Sequence, residues 1–186
     1  TMQLAERNYL SLDSTIDIFL PQFREVQILN KNANNIDDTY ISANIPTIRQ
    51  LLLHTAGFTY NSSDNVIGEE YDKRKIFLPG DTTLEEEIDN ISYLPLLFEP
   101  GSQWHYSVSI DILARILEII TKDKLINILK ENIFNPLEMY STDFFIDEDQ
   151  NSSLLETLEF SKKNKQIQNL SLDGRKLINY FYPLNN

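Results

Sequence analysis

A tight turn running straight into an apolar helix constrains this chain more than any other stretch. In Glu99-Pro100-Gly101-Ser102, Pro presets φ for the second position of a type II turn and Gly accepts the positive φ that the third position requires. Trp104-His105-Tyr106 follow. From Ser107 onward Ile110, Leu113, Leu117 and Ile120 recur at helical spacing, with Asp111 in the first turn. The pattern predicts a rigid corner feeding a buried helix, with a Trp, a His and a Tyr held in the short segment between them.

Other helix signals punctuate the rest of the chain. Thr47-Ile48-Arg49-Gln50 and Thr83-Leu84-Glu85-Glu86 have the spacing of capping boxes, in which the Thr hydroxyl and the Gln or Glu side chain each satisfy an otherwise unpaired backbone N–H. The first predicts a helix through Leu51, Leu52 and Leu53, closed by Gly57 in the left-handed conformation. The second predicts a helix ending before Pro95, its Glu85-Glu86-Glu87 run a solvated start that suits the helix dipole. Met2, Leu4 and Ala5 read as the end of a helix, and Ser14-Thr15-Ile16-Asp17 as the start of a short one that Pro21 ends. A helix is expected from about Lys124 to Asn132, carrying Leu125, Ile128 and Leu129 inward. Residues 30–35 read as a polar loop and 61–75 as a surface excursion. Residues 147–186 read as a polar linker, a marginal helix reaching Leu170, and a candidate hairpin turn at Leu172-Asp173-Gly174-Arg175.

Composition removes several kinds of chemistry. Sixteen Lys and Arg against twenty-eight Asp and Glu leave a formal net charge of −12, so binding to nucleic acid or to an anionic membrane surface is disfavoured. With no Cys, the chain has no disulfide framework, thiolate zinc site, iron–sulfur cluster or cysteine nucleophile. Two His without an H-x-x-x-H pair argue against a metal centre, and five scattered Gly write neither G-x-G-x-x-G nor a P-loop. No metal and no cofactor is therefore expected. Asp147, Glu148 and Asp149 lack the spacing of a calcium loop. Neither a long apolar run nor a leader pattern is present, so no membrane span or export signal is expected, and the compartment stays open.

Chemistry-capable groups concentrate at Trp104-His105-Tyr106-Ser107. A tyrosine at the positive end of a helix can serve as a general base, because that environment favours phenolate. The competing reading is a packed Tyr whose hydroxyl finds one partner. Trp104 is read as packed against the turn, with lining of a substrate cleft as the second reading. His54, at the end of its helix, reads as a structural, hydrogen-bonded histidine and His105 as a rim or surface residue. The sequence contains no G-x-S-x-G, S-x-x-K or K-T-G.

Taken in order, four blocks resemble the beta-lactamase-related serine hydrolases, the superfamily of class C beta-lactamases, DD-peptidases and esterase relatives. They are Leu10-Ser11-Leu12-Asp13 with Phe19-Leu20-Pro21-Gln22-Phe23; Ile48 through Leu53-His54-Thr55-Ala56-Gly57; Pro100-Gly101-Ser102-Gln103-Trp104-His105-Tyr106-Ser107-Val108-Ser109 into Ile112-Leu113-Ala114-Arg115; and Ile133-Phe134-Asn135-Pro136-Leu137-Glu138-Met139. They span about residues 1–146. The resemblance implies an α+β fold of the beta-lactamase/DD-peptidase-like type, of which this chain is mainly the helical part with few short strands.

It also implies acyl transfer by three motifs: a Ser and Lys one helical turn apart, a Tyr at the start of another helix, and a triplet on a strand. Tyr106 falls on the second motif and becomes the candidate catalytic residue, with Ser107, Val108 and Trp104 as candidate substrate-binding residues. Val108 stands where beta-lactamases place an Asn that contacts the substrate amide, which turns the expectation toward an ester. The other two motifs are not in these residues, so the chain is expected to be a fragment that cannot form an acyl-enzyme by itself, the intact protein acting on a small-molecule ester or amide. The alternative is a catalytically inactive binding or assembly domain on the same scaffold, with a partner chain on its exposed apolar face.

Overall fold

The computed structural model describes residues 1–60, 65–77 and 82–144, together with the backbone of 158–161 and 166–169. The predicted long helix is α5, Ser109–Thr121, and the molecule is arranged around it. Packed on α5 are α2 (Ile48–Leu52), α4 (Leu84–Ser92) and α6 (Leu125–Leu129). Its buried stripe is Ile112, Leu113, Ile116 and Leu117, while Ile110 is 49% exposed. The apolar face is thus rotated from the one expected: Ile110 and Ile112 fall on different sides of the helix, and the neighbours cover the second.

Both capping boxes form. Thr47 Oγ1 accepts from the Gln50 N–H and the Gln50 carbonyl oxygen Oε1 accepts from the Thr47 N–H, at 3.2 and 2.9 Å. Thr83 and Glu86 do the same for α4 at 3.2 and 2.7 Å. The end of α2 differs from expectation. His54, not Gly57, takes the left-handed conformation after Leu53, with φ +54. Its N–H bonds the Leu51 carbonyl, and the Thr55 N–H bonds that of Gln50, at 3.1 and 2.8 Å. Those two bonds define a Schellman closure.

Gly57 is instead needed for close approach. At φ +94, a Cβ there would lie 2.5 Å from the Phe98 carbonyl oxygen. Segment 94–98 runs between Gly57 and β1 (Gln27–Leu29). The Leu97 N–H bonds the Gly57 carbonyl, the Leu96 N–H that of Gln27, and the Leu29 N–H that of Leu96. On its other side β1 pairs antiparallel with β2 (Thr39–Ile41), Ile28 opposite Tyr40. Three-residue strands are too short for an alternation pattern to reveal them.

Four further expectations are corrected. Residues 66–73 form a helix, α3 (Val66–Lys73), whose Asn65 side chain caps the N–H groups of Ile67 and Gly68 and which buries Ile67 and Tyr71. Pro21 does not end a helix; it opens a second single turn, Pro21–Phe23, after Ile16–Ile18, as a residue without an N–H can at a first helical position. The helix expected to reach Asn132 is α6 followed by a wider turn, Lys130–Phe134. In the stretch read as a marginal helix, Leu158–Ser161 (β3) and Gln166–Asn169 (β4) pair antiparallel. The short N-terminal helix is α1, Met2–Glu6. The candidate hairpin turn at 172–175 and the acidic run at 147–149 lie outside the described residues. Among the described residues no helix is long and apolar enough to cross a membrane.

Candidate active site around Tyr106

The Pro100-Gly101 turn is present as expected. The Ser102 N–H bonds the Glu99 carbonyl at 3.0 Å, and Gly101 has φ +89. A Cβ on Gly101 would meet the Gln50 side-chain amide at 2.8 Å, so the turn seats against the capping residue of α2. From there the chain runs alongside the segment after α2. The Gly101 N–H bonds the Thr55 carbonyl at 2.7 Å, the His105 N–H that of His54 at 2.9 Å, and the Val108 N–H that of Thr59 at 3.2 Å. Residues 101–108 are therefore fixed by backbone bonds to 54–59, although neither is a regular strand.

This placement delivers Tyr106 three residues ahead of α5. Tyr106 is 60% exposed, yet two rings lie close to its own: Tyr60 stacks at 5.7 Å between centroids and 4° between planes, and the His54 ring lies at 4.7 Å and 36°. Burial, with the fields of Asp111 and Tyr106, pushes the Tyr60 hydroxyl up to about 12. Tyr60 is thus a neutral ring platform rather than a proton acceptor. His54 Nδ1 accepts from the Ser107 N–H at 3.3 Å, and the Ser107 hydroxyl bonds that of Ser109 at 2.7 Å. Burial lowers the His54 pKa below its ordinary value, so the ring is neutral at neutral pH. Behind the stack Asp111 is raised to about 6, burial being the main cause.

The four predicted site residues divide. Tyr106 and Trp104, the latter 67% exposed, face solvent; Ser107 and Val108 are buried, Val108 within the hydrophobic core. His105 takes the rim position of its two readings. It is half-buried, with its Nε2 3.1 Å from the Thr59 hydroxyl, which also accepts from the Asn65 amide. Glu87, expected in a solvated cluster, is buried and accepts from the Phe77 N–H at 3.0 Å and from the Thr82 hydroxyl. Sequence reasoning missed Tyr60 altogether, because only the fold brings it to Tyr106. Among the described residues no group of three His, Asp or Glu side chains gathers as a metal site. A cavity of about 380 Å³ bordered by Phe23, Val26, Arg74, Tyr93 and Leu96 shares no residue with this aromatic stack.

A solvent-facing tyrosine beside a helix start, backed by rings and fixed by backbone bonds, is an arrangement suited to proton transfer. Comparison with known proteins agrees with the class that the sequence resembles. The family model "Beta-lactamase" matches residues 1–169, and the chain belongs to that family. Esterase EstB of Burkholderia gladioli is 30% identical over 146 residues, a match covering 77% of this chain and 34% of that protein. The solved structure of EstCE1, described as a hydrolase with promiscuous acyltransferase activity, superposes with a TM-score of 0.72 at 27% identity, covering 91% of this chain and 41% of that one. A penicillin-binding protein from Bacillus halodurans shares the fold at a TM-score of 0.61 and 17% identity, over 90% and 44% of the two chains. The fold is thus of the beta-lactamase/penicillin-binding-protein type. The chain spans between a third and a half of the length of these three proteins.

Proposed function

We propose that these residues supply the tyrosine side of the active site of a serine acyl-transfer enzyme acting on small-molecule esters. The exposed Tyr106 ring, set beside those of His54 and Tyr60 ahead of α5, carries this reading. EstB, named an esterase, and EstCE1, titled a hydrolase with acyltransferase activity, support it. In the proposed reaction the Tyr106 phenolate takes the proton of a serine hydroxyl as the serine oxygen attacks the acyl carbonyl. The tetrahedral adduct collapses, and the same proton passes from Tyr106 to the leaving alcohol. Water or a second alcohol then reverses the sequence to release the acyl group. The serine and its lysine, absent here as S-x-x-K, are contributed by other residues of the intact protein, and no metal or cofactor takes part.

Val108, fully buried in the core, offers a substrate nothing directly, so the ester reading rests on the relatives named for ester hydrolysis and acyl transfer. Trp104 and Tyr106, both exposed, are assigned to the substrate side, and Ser107 and Val108 to the support behind them. In the intact protein, a fluorophosphonate should label one serine and p-nitrophenyl esters should be hydrolysed. Tyr106→Phe should lower kcat by about 10²- to 10⁴-fold with an unchanged melting temperature. Full activity in that variant would overturn the assignment. An intact, folded protein that neither labels nor hydrolyses esters would favour an inactive binding domain instead.

A further inference from the structure

Building on Tyr106 as the proton-transferring group, we propose that His54 is a positioning residue that sets the Tyr106 ring from its place at the end of α2. Its φ of +54 lies in the left-handed region, as do those of Lys75 after α3 and Lys122 at the end of α5. A helix of this chain can thus close on a side chain of quite different chemistry, and closure does not call for an imidazole.

The imidazole adds a hold on the residue after Tyr106 to the hold that the backbone already has on the residue before it. The His54 backbone carbonyl accepts the His105 N–H at 2.9 Å, and the ring Nδ1 accepts the Ser107 N–H at 3.3 Å. The residues before and after the tyrosine are thus bound by one residue, whose ring lies 4.7 Å from the tyrosine ring. The second bond needs Nδ1 unprotonated, which places the neutral ring's proton on Nε2. Ser107 in turn bonds Ser109 through their hydroxyls at 2.7 Å, joining the clamp to the first residue of α5. Gly would keep the helix closure and the bond to His105, and would lose the bond to Ser107 and the ring contact. Asn would keep an acceptor and lose the ring.

The clamp has an acid limit. Protonation puts a hydrogen on Nδ1, so the ring can no longer accept the Ser107 N–H and is left with the Ser107 hydroxyl alone, at 3.4 Å. The ionisable group against His54 is Tyr106 from the loop before α5; Tyr106 in turn stacks on Tyr60 from the segment after α2, whose hydroxyl feels Asp111 of α5. His105, its backbone partner, directs its own ring to Thr59. Because burial lowers the His54 pKa, loosening of the clamp falls below the ordinary histidine range near pH 6.5.

The test compares His54→Gly, His54→Asn and Tyr106→Phe in the intact protein. His54→Gly should lower kcat about ten- to a hundredfold, the loss expected when a reacting group is displaced by on the order of 1 Å. KM should change little, and the melting temperature should not fall, since Gly is at ease at positive φ. His54→Asn should recover part of kcat, having an acceptor that does not titrate; the acid limb that remains in it belongs to the proton-transferring groups themselves. An unchanged kcat in His54→Gly, or no recovery in His54→Asn, would overturn the positioning role. Full activity in Tyr106→Phe would overturn the function proposed above along with it; a damaged Tyr106→Phe beside an intact His54→Gly would overturn the positioning role alone. A readout that needs no turnover is the long-range ¹H–¹⁵N spectrum of the His54 ring. It should show the Nε2–H tautomer, and an Nδ1–H tautomer would overturn the proposal.

Discussion

The two halves that flank α5 are held together by different means. On one side, residues 54–59 and 96–108 are joined main chain to main chain, Leu97 to Gly57, Gly101 to Thr55, His105 to His54 and Val108 to Thr59. On the other side, α3 and α4 are tied through side chains. The buried Glu87 side chain of α4 accepts from Phe77 in the segment after α3 and from Thr82, and Arg115 of α5 pairs with Glu85 of α4. Backbone lacing tolerates most side chains but is strict where two strands of chain nearly touch. Side-chain lacing is the reverse, since each tie depends on one residue and on its charge. Tyr106 sits on the backbone-laced side, where a group that must hold its position gains from partners that cannot rotate away.

The largest effect that would separate the two halves comes from Gly57→Ala. A Cβ 2.5 Å from the Phe98 carbonyl oxygen, at a φ of +94, has no room and no relaxed backbone. The loss should be about 3 kcal/mol, combining overpacking with left-handed strain, measured by denaturant unfolding. A loss below about 1 kcal/mol would break the claim that this side is strict at its contacts. Next is Glu87→Ala, which strands the Phe77 N–H in a buried place. It should cost about 2 kcal/mol while leaving the spectroscopic signature of the Tyr106 stack intact.

Asp111 gives the smallest effect and lies where the halves meet, its field raising both Tyr60 on one side and Tyr71 on the other. Its folded pKa of about 6 stands above the ordinary 3.8, so the folded state favours the protonated acid. Stability is then highest below the ordinary value and declines as the pH climbs through about 6. Asp111→Asn should be about 1 kcal/mol more stable than the parent at pH 7.5 and no more stable at pH 4, in parallel thermal melts. A gain of equal size at both pH values would detach the effect from ionisation.

How much of this was legible in the residues depended on the range of the interaction. Both capping boxes and the Pro100-Gly101 turn act within four residues, and all three stand as read. α3 was hidden because Glu69, Glu70, Asp72 and Lys73 dominate its composition, while its burial rests on Ile67 and Tyr71 four apart. Ile110 was placed inward because spacing fixes a helical face but not the face its neighbours cover. Tyr106 was singled out through local chemistry and the resemblance of its segment. Its partners were not, because Tyr60 and His54 are distant in sequence, and the left-handed turn at His54 is imposed by bonds to Gln50 and Leu51 where Gly57 offered the better local candidate.

Segment 94–98 has a kinetic consequence. Through Leu96 and Leu97 it is bonded to Gln27 on one side and Gly57 on the other, so three parts of the chain far apart in sequence must meet before all of those bonds can form. Each bond contributes only after the loop that it closes has formed, a cost that grows with loop length and slows folding. The helices can form on local signals, but the junction beneath the tyrosine cannot. The surface that presents Tyr106 is therefore assembled only when the chain commits to its whole topology, and a partly folded molecule lacks it.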